Sequence, residues 1–297
     1  MNPAAVTLPE RHSPTGLADL IGCPLRWTLK YLGRLRDPES AALTDSVTLI
    51  GSLSHEILAE VLRTNPEDGE KARTLAGELF GTLGPRLAAP LFLPGAPIQL
   101  ASARKATADS AYELVEILSG AKLRVKEVEK SIEAKTKKMN LVGRIDLLVG
   151  DPPVVIDLKW GGETYRRDQL RDGTALQLAA YSRMLGGEDG MIPAAFFIIR
   201  PQRLITQKNS PFKGVEGVDG PPLGETWAAV EKTSMERLDE LKAGRVGALA
   251  VPLNPPPSKD TGVVKEDVLE GGRIDIVPLC AFCSFGFLCG IEWEGGR

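Results

Sequence analysis

The sequence predicts an α/β protein with a mixed sheet, preceded by a mainly helical N-terminal region. Three observations carry that prediction. Apolar residues recur at helical spacing through the first 120 positions, the period shortens to that of strands between 125 and 159, and one further helix and an apolar strand follow.

Over 15–33, Leu17, Leu20, Ile21, Leu25, Leu29 and Leu32 form a helical stripe that Pro24 divides into two short helices, with Cys23 at the break. Leu49, Leu53, Ile57, Leu58 and Val61 predict a helix over 47–62 that Asn65-Pro66 stops, and further helices are predicted at 70–87 and 101–118. Segments 125–138 and 141–149 read as strands joined at Met139-Asn140, and 154–159 as a short β-branched third strand. Helical spacing returns over 168–185, and Ala194-Ala195-Phe196-Phe197-Ile198-Ile199-Arg200 reads as a buried strand. A helix at 226–241 lies between Gly- and Pro-rich segments, 202–225 and 251–262, that read as loops. Three regions result, expected to form one integrated domain: helical 1–120 with Cys23 and His55, a sheet-bearing core at 121–205, and 206–297 with loops, a helix and a cysteine cluster.

Composition narrows the function classes. The 297 residues are 43% hydrophobic and 25% charged, which is ordinary globular usage and excludes collagen-like or low-complexity chains. With 36 Lys+Arg against 39 Asp+Glu, the net charge of −3 rules out a cationic coat for nucleic acid. A local basic groove needs only a few placed side chains, and Arg124, Lys126, Lys135, Lys137, Lys138, Arg166 and Arg167 flank the predicted strands. The first 14 residues are polar, without the apolar run of a signal peptide or membrane span, so a cytoplasmic protein with no membrane partner is expected. No G-x-x-x-x-G-K-[ST] loop is present, so the chain carries no evident ATP-driven motor.

Charge is concentrated at one strand end. Asp146 closes Gly143-Arg144-Ile145-Asp146, and eleven residues later Asp157 and Lys159 lie two apart on a strand and share a face. Two carboxylates brought together repel unless a cation joins them, and hard oxygen ligands suit Mg²⁺ or Mn²⁺. The alternative is a pair of polar strand ends facing solvent. His55, on a predicted helix, and Gln177 and Tyr181, four apart on another, are ordinary residues in isolation.

Taken in order, G-x-x-x-H, G-x-x-D, D-x-K and Q-x-x-x-Y resemble the motifs of the RecB-type branch of the PD-(D/E)xK nuclease superfamily. That resemblance implies a restriction-endonuclease-like mixed sheet core. It implies that His55, Asp146 and Asp157 bind the catalytic metal, with the Leu158 carbonyl assisting, that Lys159 is the catalytic lysine, and that Gln177 and Tyr181 line the DNA side of the site. Glu129 matches an acidic position of such proteins but equally fits a solvated strand face, and it is left outside the expected site. Trp160 replaces the threonine frequent after the lysine, while Gly161 is retained.

Cys280, Cys283 and Cys289 have C-x2-C-x5-C spacing, and a fourth thiolate is available only from Cys23. Four thiolates suit a [4Fe–4S] cluster or a structural Zn²⁺; the remaining reading is four buried reduced cysteines. The wide separation of one ligand from the other three resembles iron–sulfur nucleases of the AddB type and of the CRISPR-adaptation type, and Cys23-Pro24-Leu25-Arg26-Trp27 matches their N-terminal context. The cluster would then act as a C-terminal clasp. The expected function is a Mg²⁺- or Mn²⁺-dependent deoxyribonuclease, an exonuclease on single-stranded DNA ends in repair, recombination or defence, with a helicase or integrase partner. The alternative is a non-catalytic DNA-end-binding or scaffolding subunit of such a complex.

Overall fold

The computed structural model describes residues 7–35, 46–93, 95, 97–187, 190–208, 210–249, 267–278, 280 and 283–289; the predicted loop at 251–262 lies outside them. A two-residue strand, β1 (Arg11–His12), leads into α1 (Pro14–Gly22), where the Ser13 hydroxyl accepts the Gly16 N–H at 3.0 Å. The helix restarts one residue later as α2 (Pro24–Trp27), because proline is accommodated only where the helix needs no N–H donor. After a π-helical turn (Thr28–Leu32) come α3 (Ser46–Arg63), α4 (Gly69–Leu87) and α5 (Pro97–Gly120). The strands β2 (Val125–Lys135), β3 (Asn140–Val149) and β4 (Val154–Lys159) follow, then α6 (Glu163–Arg171), α7 (Leu176–Gly186) and β5 (Ala194–Ile198). The remaining elements are β6 (Arg203–Gln207), β7 (Gly217–Val218), α8 (Leu223–Lys242), the ribbon β8 (Val268–Glu270) and β9 (Arg273–Asp275), and α9 (Gly286–Cys289).

Among the described residues, seven strands form one mixed sheet in the order β1-β3-β4-β5-β6-β7, with β2 on the other edge of β3. On one face, Leu53, Ile57, Phe80 and Leu114 of α3–α5 pack with Leu147, Ile156, Leu158 and Phe197. On the other, Leu17, Leu178 and Val230 of α1, α7 and α8 pack with Ile145, Val155 and Phe196. Coverage on both faces explains why β4 and β5 read as near-continuous apolar runs and do not alternate. A small third cluster of Leu20, Trp27, Leu238 and Leu241 ties α1 and α2 to α8.

Three expectations are corrected. The helix expected at 168–185 is two helices, α6 and α7, separated where Gly173 takes a left-handed φ of +70° that a side chain would strain. The loop expected at 202–225 contains β6, whose Leu204, Ile205 and Thr206 are buried against β5; three residues among glycines and prolines gave too short a pattern. The hairpin turns at Lys137-Lys138, two residues before the predicted position. Thr136 makes that turn: its N–H donates to the Met139 carbonyl at 2.9 Å, and its hydroxyl accepts the Met139 N–H at 3.0 Å. The shift sets the register, pairing Lys135 with Asn140, Lys130 with Ile145 and Val128 with Leu147. Glu129 therefore faces Asp146, where the predicted turn would have placed Glu133.

Candidate metal centre

The site lies where β3 and β4 part. Their ladder runs from Val149↔Val154 to Leu147↔Ile156 and stops. Beyond it, Asp146 takes over the backbone's role: its Oδ2 accepts the Leu158 N–H at 2.7 Å. The other half of this edge of β3 is paired with β1, so the gap is framed by strands on both sides. The partner strand is distorted at the same level. Glu129 has a φ of +52°, a left-handed conformation in a strand that costs a non-glycine residue about 1–2 kcal/mol. Across this point the buried face of β3 changes layer, Ile145 packing under α7 and Leu147 under α3–α5.

His55 comes from α3. The preceding residue, Ser54, is fully buried and its hydroxyl lies 2.8 Å from that of Thr107 on α5, which fixes the rotation of α3 against its neighbour. Ligand atoms of His55, Glu129 and Asp146 all lie within 4.8 Å of one another. Burial, assisted by the adjacent Asp157, pushes the Asp146 carboxyl up to about 7 against the opposing influence of Lys159 and the Leu158 N–H. Burial, assisted by the Lys159 charge, drives the His55 imidazole down to about 4. An imidazole kept neutral and a carboxyl held back from ionising are groups that gain most from a cation placed between them.

Asp157 and Lys159 occupy the end of β4. Asp157 is 1% exposed, and Lys159 Nζ lies 2.6 Å from its Oδ2. The contact is an ion pair, and both carboxylate oxygens are buried without a hydrogen bond among the described residues. Asp157 thus stands with Lys159, adjacent to the compact group that His55 and Asp146 form with Glu129. Gln177 and Tyr181 share a face of α7 as the spacing predicted. Tyr181 is 6% exposed and its hydroxyl donates to the Arg144 carbonyl at 2.9 Å, with Gln177 Nε2 3.5 Å from the hydroxyl oxygen. A Cβ on Gly143 would lie 2.8 Å from the Tyr181 ring, so glycine is what lets α7 approach the strand carrying Asp146. Gln177 also lines a cavity of about 730 Å³ together with Cys23, Arg26 and Arg166.

The residue missing from the expected set is Glu129. Its neighbours Lys126, Glu127 and Lys130 make the segment look like a solvated face, and only the turn position reveals that it opposes Asp146.

The four cysteines are half-buried free thiols. Cys23 joins α1 to α2, and its Sγ accepts the Arg26 N–H at 3.4 Å. At the other end of the chain, successive turns fold the segment on itself: Cys283 N–H donates to the Cys280 carbonyl at 3.1 Å and Cys289 N–H to that of Phe285 at 3.1 Å. The Cys280 thiol is pushed up by burial and then by Cys23, Cys283 and Cys289, and Cys23 by burial and Cys283, so thiols from the two ends of the chain lie within electrostatic reach.

Where the mixed sheet parts, a histidine and two carboxylates form a group that could hold a metal ion, beside the Asp-x-Lys end of β4. The chain belongs to the PD-(D/E)XK nuclease superfamily, whose family model matches residues 11–290. It is 26% identical over 349 aligned positions to an ATP-dependent helicase/deoxyribonuclease subunit of Carboxydothermus hydrogenoformans, an alignment covering 94% of this chain. The chain spans only 31% of that relative's length. Among solved structures, it is similar to the crystal structure of SSO0001 at 12% identity and a TM-score of 0.38, covering 96% of this chain and 89% of that one. Among the described residues, no helix is long and apolar enough to cross a membrane.

Proposed function

We propose that the chain is a Mg²⁺- or Mn²⁺-dependent deoxyribonuclease of RecB type, an exonuclease on single-stranded DNA ends working in repair, recombination or defence. The observation that carries this reading is the meeting of His55, Glu129 and Asp146 within 4.8 Å, beside the buried Asp157–Lys159 pair. One imidazole and two carboxylates suit these cations, and the buried oxygens of Asp157, without hydrogen bonds, supply further acceptor capacity at the same strand end.

When bound, a divalent cation supplies Lewis-acid stabilisation of the charge that develops on the scissile phosphate. The chain's own residues prepare for it. His55, kept neutral by burial, offers a nitrogen lone pair without first losing a proton. Asp146 has one oxygen anchored by the Leu158 N–H and the other left to present as a ligand. Glu129 brings the second carboxylate from the opposite strand. Lys159 holds its ammonium at the mouth of the gap, where it orients a water for attack or neutralises a phosphate oxygen, and Asp157 keeps it there.

In the same reading, Cys23, Cys280, Cys283 and Cys289 hold a [4Fe–4S] cluster that clasps the C-terminal segment to α1 and α2; a structural Zn²⁺ is the alternative occupant. The relative's name as a helicase/deoxyribonuclease subunit supports a helicase as partner, with an integrase as the other candidate. The test is cleavage of linear and circular, single- and double-stranded DNA with Mn²⁺, Mg²⁺ or EDTA. Linear single strands should be degraded fastest, and EDTA should stop the reaction. Activity undiminished by EDTA would remove the metal mechanism.

A further inference from the structure

Arg144 is placed to serve two partners in turn. It lies two residues before Asp146 on β3, diagonal to Glu129 across the ladder, and its Nε is 2.7 Å from Glu129 Oε2. The two ends of this ion pair differ in environment: the Arg144 side chain is 68% exposed and that of Glu129 10%. The same Glu129 carboxylate belongs to the group formed with His55 and Asp146. A guanidinium is therefore seated on the same buried carboxylate that a cation at the proposed site would use. The Arg144 backbone is held independently, by the Tyr181 hydroxyl on its carbonyl, so the side chain is free to turn without disturbing the strand.

We propose that Arg144 is an exchange residue. It neutralises Glu129 while no cation is present, and it turns outward to a DNA backbone phosphate when a cation takes that carboxylate. This rests on the reading of His55, Glu129 and Asp146 as a cation site on a DNA-cleaving protein. The exchange makes chemical sense because an exposed guanidinium loses little by leaving a carboxylate for a phosphate, which it matches equally well with two parallel N–H donors. It also couples the two ligands, since cation binding releases the group that grips the substrate and DNA binding removes the cation's competitor. A purely positioning role, in which Arg144 orients Glu129 for the metal, predicts the opposite response.

The experiment uses the full chain in two arms. In the first, Mn²⁺ binding without DNA is measured by calorimetry for wild type and Arg144→Gln. Loss of the competitor should tighten Mn²⁺ by about three- to five-fold, the range of a favourable solvent-accessible ion pair. Unchanged or weaker binding overturns the exchange. In the second, affinity for single-stranded DNA is measured at several salt concentrations with Mn²⁺ present, both chains carrying Lys159→Ala to prevent cleavage. Arg144→Gln should weaken binding and reduce the slope of log K against log salt by about one; an unaltered slope overturns it equally. Arg144→Lys, which keeps the charge but loses the fork, should restore the slope and only part of the competition. If wild type binds no Mn²⁺, or Asp146→Asn binds it as well as wild type, the underlying site assignment fails, and that outcome is distinct from either failure of Arg144.

Discussion

Glu129 and Asp146 lie opposite each other between the ladder pairs Val128↔Leu147 and Lys130↔Ile145, and the Glu129 backbone is left-handed there. A strained non-glycine residue in a long strand persists only when the surroundings over-determine it. Here the surroundings are a paired strand on one side and the α3 helix bearing His55 above. Glu129→Gln should keep the fold and the neighbouring ladder yet lower DNA cleavage by about 10²-fold or more, because one charged ligand is lost where transition-state charge is stabilised. Single-turnover assays of the purified variant would check this, with wild-type rates removing Glu129 from the site.

Asp157→Ala and Lys159→Ala should each abolish cleavage. They should differ in stability. Removing Asp157 leaves the partly buried Lys159 ammonium without its partner, which is costly, whereas removing Lys159 leaves a carboxylate that a cation still compensates. Thermal melts with and without Mn²⁺ should show the Lys159→Ala chain regaining stability with metal and the Asp157→Ala chain gaining less. Identical metal responses would contradict the assignment of Asp157 to the site.

The pH dependence of the metal-free protein has a definite sign. Asp146 titrates at about 7 in the fold against about 3.9 unfolded, so the stability it contributes is whole below about 4 and is lost as pH rises through 7. His55, at about 4 against about 6.5 unfolded, contributes stability that is whole above about 6.5 and lost as pH falls toward 4. Asp146→Asn removes only the first effect. Between pH 5 and 8 its stability relative to wild type should rise, on the order of 2 kcal/mol, in urea titrations of metal-free protein. Stabilisation of wild type by Mn²⁺ should grow over the same range as the carboxyl surrenders its proton. A relative stability independent of pH would show that Asp146 ionises normally.

Much of this is legible in the residues alone. Asp146, Asp157 and Lys159 stand out by residue type and by position on predicted strands, His55, Gln177 and Tyr181 only through the order of motifs that resembles the RecB-type nucleases, and periodicity locates α3, α5 and β4 to within a few residues. What cannot be read is anything that depends on a single residue of register. The predicted hairpin turn falls two residues late, because Met139-Asn140 looks as turn-like as Lys137-Lys138 until the Thr136 side chain is seen bonding Met139. Glu129, an acidic residue in a charged segment, is told from a solvated strand face only once that register is known. Gly173 likewise looks like one tolerated helix glycine, and only its packing against Pro221, which a Cβ would meet at 2.9 Å, shows why the chain must break there.

Gly143→Ala should destabilise the chain by about 1–3 kcal/mol, since the new methyl would meet the Tyr181 ring in a closely packed interface. Tyr181→Phe should cost only about 1 kcal/mol, the worth of the hydroxyl's bond to the Arg144 carbonyl. Equilibrium unfolding of the two variants orders these effects, and an equal or reversed order would mean that α7 does not press on β3 at this point.

Cys23→Ser should lose any iron and reduce solubility more than Asp157→Ala does, because Cys23 is the sole cysteine of the N-terminal region and the one such thiolate available to tie it to the C-terminal segment. Anaerobically prepared wild type should be brown with about four irons per chain. One stoichiometric zinc in a colourless protein would replace the cluster by a Zn²⁺ site. No metal, with normal stability of Cys23→Ser, would dismiss the clasp.

The most direct measurement is calorimetric titration of Mn²⁺ into the metal-free wild-type chain and into Glu129→Gln at pH 8, where Asp146 is ionised. One saturable site is expected in wild type, with at least about ten-fold weaker binding in the variant, the loss expected for one of three charged or imidazole ligands. Equal affinity in the two chains, or no binding in wild type, would contradict a cation centre built from His55, Glu129 and Asp146.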